Sequence, residues 1–162
     1  MTADLTFENF WQKDAGETGK QLLSFWKEHA PALEEERAVQ RLNQLVWVVR
    51  YQSGEIAGEA TAEKVFIKQL RNYFYNVRVM HAPLKYPGLM AKLITDTRDF
   101  LESIHTRDDE NRCIGIITLV ESDALKKKLT KAILPAGHLV YIGNTAKGSH
   151  IRVSYFGGSV VR

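Results

Sequence analysis

The chain has 162 residues, 44% of them hydrophobic and 25% charged, and its formal net charge is +3 at pH 7. This length and composition are typical of one globular domain over residues 1–162, and they exclude a disordered or fibrous chain. The longest apolar run, residues 45–49, is far shorter than the roughly 20 residues that a membrane-spanning helix needs. Because no basic cluster followed by an apolar core opens the chain, we expect a cytoplasmic protein with no membrane partner.

The first half of the chain predicts one strand, two helices and then three strands. The predicted elements are a strand over residues 5–10, a helix over 21–29, a helix that opens at Pro31 and Ala32, and strands over 45–51, 55–62 and 72–80. Three glutamates, residues 34–36, fall in the first turns of the second helix, where carboxylates meet the positive end of the helix dipole. The first two strands of the trio are predicted to form a hairpin, since Ser53 and Gly54 lie between them.

The second half predicts two more helices and three more strands. The predicted elements are a helix over residues 88–105, a strand over 113–120, a helix over 124–134 after the capping residues Ser122 and Asp123, and strands over 138–144 and 150–156. The first of these helices has apolar residues at spacings of three and four, and 135–137 contains the proline and glycine that end the second. The order β-α-α-β-β-β-α-β-α-β-β predicts an α+β fold.

Cysteine, histidine and basic residues limit the classes of function. Cys113 is the only cysteine and lies in an apolar run, so we predict that it is a core residue. The five histidines lack the spacing of metal ligands and no nucleophile elbow is present, so we predict no metal site and no serine nucleophile. The basic residues are scattered, which leaves a nucleic-acid-binding domain as an alternative that rests on charge alone.

The passage from strand to helix at residues 77–90 carries the most chemical information. The first amides of a helix lack internal acceptors and lie at the positive end of its dipole, so this junction can bind a phosphate or pyrophosphate. Gly88 removes a side chain from the approach path of such a ligand. Proline and glycine before a helix also occur as simple start signals, so the junction alone does not decide between the two interpretations.

The element order and this junction together resemble the GNAT superfamily of acyl-coenzyme A-dependent N-acyltransferases. Members of that superfamily have a Gln/Arg-x-x-Gly-x-Gly/Ala loop that leads into the helix after the fourth strand. Here Lys85 is basic where the family has Gln or Arg, Gly88 matches the central glycine, and Met90 departs from the usual Gly or Ala. The hairpin at residues 46–60 also resembles the family's second and third strands. The resemblance implies a mixed, mostly antiparallel sheet of about six to seven strands flanked by about four helices.

The resemblance further implies a co-substrate, acetyl-CoA or another acyl-CoA, and an amine-bearing acceptor that is a small molecule or a peptide. Backbone amides near Arg78, Val79 and Met80 would bind the pantetheine and polarise the thioester carbonyl. The residues that would cradle the diphosphate are Lys85, Tyr86, Pro87, Gly88, Leu89 and Met90. The amine would attack directly in a ternary complex after losing a proton to a general base.

The resemblance assigns the catalytic acid and base less directly. The position of the glutamate that some members carry on the fourth strand falls near Phe74, which cannot take a proton. Glu59 and Glu63 on the neighbouring strand are the remaining candidates for the base. Many members have a tyrosine in the helix after the fifth strand, but residues 124–129 contain none. Tyr141, or Tyr155 as the alternative, is then the candidate for the acid that protonates the leaving thiolate, by a different route.

Two hypotheses about function remain open at this point. The first is an active N-acetyltransferase-like enzyme. The second is a catalytically inactive GNAT-fold binding or interaction protein, a hypothesis motivated by Met90, by Phe74 and by the missing tyrosine, since a fold can outlast its chemistry. A homodimer is also open, because an exposed last strand can pair with a second copy.

Overall fold

The computed structural model describes residues 4–83, 86–105 and 111–157. The strands are β1 (Leu5–Asn9), β2 (Leu45–Tyr51), β3 (Ile56–Ile67), β4 (Asn72–His81), β5 (Cys113–Val120), β6 (Ile133–Leu134), β7 (Leu139–Asn144) and β8 (His150–Tyr155). The helices are α1 (Gly16–His29), α2 (Glu35–Leu42), α3 (Leu89–Ser103) and α4 (Asp123–Lys128). A short 3₁₀ turn, Ala136–His138, precedes β7.

The strands of the described residues form one mixed sheet in the order β1-β2-β3-β4-β5-β8-β7-β6. β4 and β5 pair in parallel, while β1 with β2, β2 with β3, β5 with β8, β8 with β7 and β7 with β6 are antiparallel. The predicted α+β class is therefore confirmed. The sheet has eight strands rather than six to seven, and the added strand β6 has two residues.

The described residues divide into two compact units. The first comprises Met1–Ala62 and Val79–Leu93, and the second comprises Glu63–Arg78 and Ile94–Arg162. The single domain inferred from the sequence stays a prediction. No helix in the described ranges is long and apolar enough to span a membrane.

In the first unit, helices pack on both faces of the sheet. Neighbouring side chains of a strand point to opposite faces, so Val48 packs with Leu22 and Trp26 of α1, and Val49 packs with Leu89 and Leu93 of α3. Leu22 and Trp26 are four residues apart on α1, as are Leu89 and Leu93 on α3, so each pair lies on one face of its helix. These contacts fix α1 and the start of α3 against the strands that carry the candidate site.

In the second unit, β5 is the most deeply buried strand. Seven of its eight residues are buried, as the near-continuous apolar run predicts, and Cys113 is confirmed as a core residue. The parallel register between β4 and β5 runs from Tyr73 opposite Cys113 to Asn76 opposite Ile117. Phe74 is fully buried here with Ile114, Ile117 and Val153.

Three predicted helix boundaries are wrong, and the first is the start of α1, which lies at Gly16 rather than at residue 21. The second helix was expected to open at Pro31 and Ala32, but α2 begins at Glu35. The amide of Leu33 instead donates to the carbonyl of Ala30 at 2.8 Å, in a turn that brings Leu33 against the core of the first unit. Packing of Leu33 against the core therefore delays the start of the helix beyond Pro31 and Ala32.

The predicted helix over residues 124–134 is also too long, because α4 ends at Lys128 and β6 follows. The buried guanidinium of Arg152 explains the early end. Its Nη2 donates to the carbonyl of Leu129 at 2.7 Å, and its Nη1 donates to the carbonyl of Lys131 at 3.0 Å. Because these carbonyls accept hydrogen bonds from a side chain of β8 rather than from helix amides, the helix does not continue. Ile133 pairs with Val140 of β7 instead.

Candidate active site

The junction between β4 and α3 has open space at a glycine. Gly88 has a φ of +85°, in the left-handed region that favours glycine, and a Cβ placed on it would meet no atom within 4 Å. α3 has 15 residues, and its first turn is fixed because Leu89 is buried and the amide of Lys92 donates to the carbonyl of Gly88 at 2.9 Å. A rigid helix start therefore lies beside space that a ligand can enter.

The structure describes five of the six predicted diphosphate-binding residues, since Lys85 lies outside the described residues. The ring of Tyr86 packs 5.8 Å from the ring of Tyr51, and Pro87 and Gly88 are exposed. The Leu89 side chain belongs to the core, so this residue can offer a ligand only its backbone. Met90, which departs from the family pattern, is half-buried.

The end of β4 lies close against β3. A Cβ at Gly58 would come within 2.9 Å of the carbonyl oxygen of Met80 and within 3.3 Å of the Cβ of His81, so a side chain is not tolerated there. The amide of Ala82 donates to the carbonyl of Ala57 at 2.9 Å. Val79 packs on the α3 side of the sheet and Met80 on the α1 side. The next residue after Gly58 along β3, Glu59, consequently lies beside the end of β4.

Glu59 is buried, contrary to the expectation for a carboxylate on a strand with a solvent-facing side. It is 1% exposed, and its Oε1 accepts a hydrogen bond from Nε1 of Trp26 at 2.9 Å. It stands opposite Val48 in the β2–β3 register, on the face that α1 covers. Burial of a carboxylate is unfavourable unless it is hydrogen-bonded, and the indole N–H of Trp26 supplies such a bond.

Trp26 was not among the predicted site residues. It lies four residues after Leu22 on α1 and is buried in the core. The signal that could have found its contact is general: a buried indole N–H needs an acceptor, and Glu59 is an acceptor on a predicted strand. No pattern in the sequence indicates that Trp26 and Glu59, which are 33 positions apart, contact each other.

The other predicted residues lie in the second unit. The Oε2 of Glu63 accepts a hydrogen bond from Nη2 of Arg78 at 3.0 Å, and both side chains are more than one-third exposed. The hydroxyl of Tyr141 donates to Oδ1 of Asn144 at 2.8 Å, and its ring is 5.8 Å from the guanidinium of Arg152. Burial lowers the pKa of the Arg152 guanidinium below its usual value, and Tyr141 acts in the opposite direction.

A cleft of about 780 Å³ lies between α1 and the β2–β3 turn. Its residues are Gln21, Ser24, Phe25, Glu28, His29, Arg50, Tyr51, Ser53, Gly54, Glu55, Ile56 and Ala82. The Arg50 guanidinium is held by Glu8, Gln21 and Thr18 and by the carbonyl of Gly54, so it serves to hold the turn against α1. The volume is in the usual range of small-molecule sites.

The site has no arrangement typical of a metal centre. Among residues 4–83, 86–105 and 111–157, no group of three or more histidine, cysteine, aspartate or glutamate side chains is placed to hold a metal ion. The first unit contains the buried Glu59, the backbone of Val79 and Met80, and the glycine at the start of α3. A carboxylate can accept a proton, and backbone amides can donate hydrogen bonds.

Comparison with known proteins identifies the fold. No protein-family model matches the sequence, and no curated protein matches it. An acetyltransferase of the GNAT family from Streptococcus pneumoniae matches with a TM-score of 0.59 at 14% identity, over 95% of this chain and 100% of that one. Arabidopsis thaliana NAA60 in complex with acetyl-CoA matches with a TM-score of 0.59 at 14% identity, over 93% and 99% of the two chains.

A ribosomal-protein-S5-alanine acetyltransferase from Vibrio fischeri also matches, with a TM-score of 0.58 at 13% identity, over 96% of this chain and 94% of that one. All three similarities cover nearly the full length of both chains. The α+β chain therefore has the GNAT fold. The resemblance to this superfamily that the element order and the loop before α3 indicated is confirmed at the level of fold.

Proposed function

We propose that this protein is an acyl-CoA-dependent N-acyltransferase that moves an acyl group, with acetyl as the first candidate, to an amine. The observation that carries the proposal is Gly88, where a left-handed backbone and open space coincide with the start of a 15-residue helix. It is supported by the GNAT fold and by two structural neighbours that are acetyltransferases, one of them a ribosomal-protein-S5-alanine acetyltransferase.

In this proposal the donor binds to backbone amides at the end of β4 and at the start of α3. The amides at the start of α3 bind the diphosphate, because they lack acceptors within the helix and lie at the positive end of its dipole. The amides of Val79 and Met80 bind the pantetheine and polarise the thioester carbonyl, which stabilises the oxyanion as it forms. Because Leu89 and Leu93 anchor α3 in the core, the start of α3 is fixed before the donor arrives.

The acceptor amine enters from the α1 side, where the cleft beside Phe25 and Tyr51 offers room. Its nitrogen forms a bond to the thioester carbonyl carbon, and the proton that it loses passes to the carboxylate of Glu59. The carbon–sulfur bond then breaks, and the sulfur leaves as the CoA thiolate, which takes a proton from an acid for which Tyr141 is the candidate. The products are an amide and free CoA.

A second function, a GNAT-fold protein that binds acyl-CoA without turnover, is favoured by one observation. The Glu59 carboxylate is 1% exposed, so α1 must admit the amine or a water molecule before the base can act. Binding of acetyl-CoA without release of thiol over a broad panel of amines would favour this function.

Substitution of Gly88 by alanine is expected to weaken acetyl-CoA binding at least tenfold, because the added methyl group occupies the path of the diphosphate. The measurement is the thermal shift of each variant as acetyl-CoA is titrated, since a ligand of the native state at 100 times its Kd stabilises by about 2.7 kcal/mol. Gly148→Ala is the matched control: Gly148 has a φ of +84°, and a Cβ there also meets nothing within 4 Å.

Both alanine variants should lose about 1–2 kcal/mol of stability to the left-handed backbone, but only Gly88→Ala should show a smaller thermal shift at the same acetyl-CoA concentration. Equal acetyl-CoA shifts in the two variants would place the donor elsewhere. If the unsubstituted protein is not stabilised by acetyl-CoA at all, the acyltransferase proposal fails.

A further inference from the structure

We propose that Trp26 is a positioning residue for Glu59, whose carboxylate its indole N–H holds in the orientation that accepts the proton of the attacking amine. This inference rests on the proposed function, and it adds to it a residue on α1 that the loop pattern and the strand candidates do not include. Trp26 acts through Glu59 and is not itself placed against substrate.

The geometry of the pair is that of a fixed support. Trp26 and Glu59 are each 1% exposed, and the 2.9 Å bond between them joins α1 to β3. An indole ring in a packed core has little rotational freedom, so its N–H points in one direction and defines where Oε1 lies. A base whose own position is held by its surroundings keeps its orientation when the amine or a water molecule reaches it.

The ring of Trp26 is itself held from several sides. Leu22, Phe25 and Ala38 belong to the same buried cluster, and the guanidinium carbon of Arg41 on α2 lies 5.9 Å from the centroid of the ring. A cation over an aromatic face is an attractive contact, so α2 contributes to fixing the ring. The two helices and β3 therefore converge on one hydrogen bond.

Several charged and titratable groups lie on the elements that pack around the pair. Arg41 on α2 faces the ring of Trp26, and His29 on α1 stacks 4.6 Å from Phe25. On β4, the Nδ1 of His81 is 2.9 Å from the carbonyl oxygen of Ala82, and on β2 Arg50 is held by Glu8. The bond from Trp26 reaches the Glu59 carboxyl directly, and a hydrogen bond donated to a carboxylate favours its charged form.

The competing explanation is that Glu59 exists to satisfy the buried indole N–H, with no role in proton transfer. The two explanations differ in what pH does. If Glu59 is the base, protonation of its carboxyl abolishes turnover, so the bond from Trp26 sets the acidic limb of the pH–rate profile. If the pair is only structural, loss of this bond should leave kcat unchanged once the fraction of folded protein is taken into account.

The test is the pH dependence of kcat for Trp26→Phe, which keeps an aromatic ring and removes the N–H. We expect kcat to fall about tenfold and the acidic limb to move to higher pH by about one unit, because the carboxylate loses a donor to its charged form. KM for acetyl-CoA should stay unchanged. Leu22→Val is the matched control, because Leu22 is fully buried in the same cluster and its loss leaves the bond intact.

An unchanged acidic limb in Trp26→Phe, or the same displacement in Leu22→Val, would overturn the inference. A second measurement needs no variant that might unfold: the proton resonance of the Trp26 Nε1–H should titrate in the unsubstituted protein with the midpoint of the acidic limb. A resonance that stays constant through that range would also overturn it. The acetyl-CoA thermal shift is read separately, so failure of the proposed function is distinguishable from failure of this inference.

Discussion

Glu59→Gln is expected to lower kcat by roughly 10²–10⁴-fold, the usual contribution of a general base. The glutamine side chain has nearly the same shape, and its amide oxygen can accept the hydrogen bond from Trp26 that Oε1 of Glu59 accepts at 2.9 Å. It cannot take a proton from the attacking amine. Binding of acetyl-CoA should be retained, because the donor site consists of backbone around Val79, Met80 and Gly88.

Stability should change far less than activity. The glutamine side chain has nearly the shape of the carboxylate and can keep the bond from Trp26, so the melting temperature of Glu59→Gln should stay within about 4 °C of that of the unsubstituted protein. Stopped-assay kcat and the melting temperature, measured on the same preparations, would show this separation. A loss of both together would indicate that Glu59 maintains the core rather than the chemistry.

Glu63→Gln is the matched control, because both glutamates lie on β3 and both were candidates for the base. The Glu63 carboxylate pairs with Arg78, and the two side chains are 41% and 36% exposed. Exposed ion pairs of this kind contribute about 0–1 kcal/mol, so this variant should keep both its stability and its turnover. If Glu63→Gln abolishes turnover while Glu59→Gln does not, the assignment of the base is wrong.

The sequence predicted the elements whose local pattern agrees with their final environment. The apolar run at residues 113–120 became a strand with the same bounds because both its faces are covered. The helix that starts after Gly88 was predicted within two residues, since its apolar spacing matches the core that it packs on. Such elements need no information about distant residues.

The predictions were wrong where a side chain that is distant in sequence determines the local structure. Residues 129–134 have no local signal against helix, but Arg152 from β8 binds the carbonyls of Leu129 and Lys131 and ends α4. No local signal marks Glu59 as buried, but α1 covers that face of β3 and presents Trp26. The sequence predicted the fold family, whereas the environment of Glu59 depends on how α1 packs.

Arg152→Met is expected to destabilise the protein by about 3 kcal/mol, because two or more hydrogen bonds from a charged group are lost together. The Arg152 residue is 2% exposed and donates to the carbonyls of Leu129 at 2.7 Å, Lys131 at 3.0 Å and Ala132 at 3.4 Å. For a chain of this size the melting temperature should fall by roughly 6–12 °C. Thermal unfolding followed by circular dichroism measures the change.

Two further variants distinguish the contribution of the Arg152 hydrogen bonds from that of its positive charge. Arg152→Lys retains the positive charge but not the planar fork of donors, so it should recover less than half of the lost stability. Arg37→Met removes an exposed arginine whose partner Glu34 is also exposed, and it should leave the melting temperature within about 2 °C. If Arg152→Met behaves like Arg37→Met, the early end of α4 has another cause. If Arg152→Lys has the melting temperature of the unsubstituted protein, a positive charge alone is enough to hold the carbonyls after α4. The planar geometry of the guanidinium is then not the reason that α4 ends before β6.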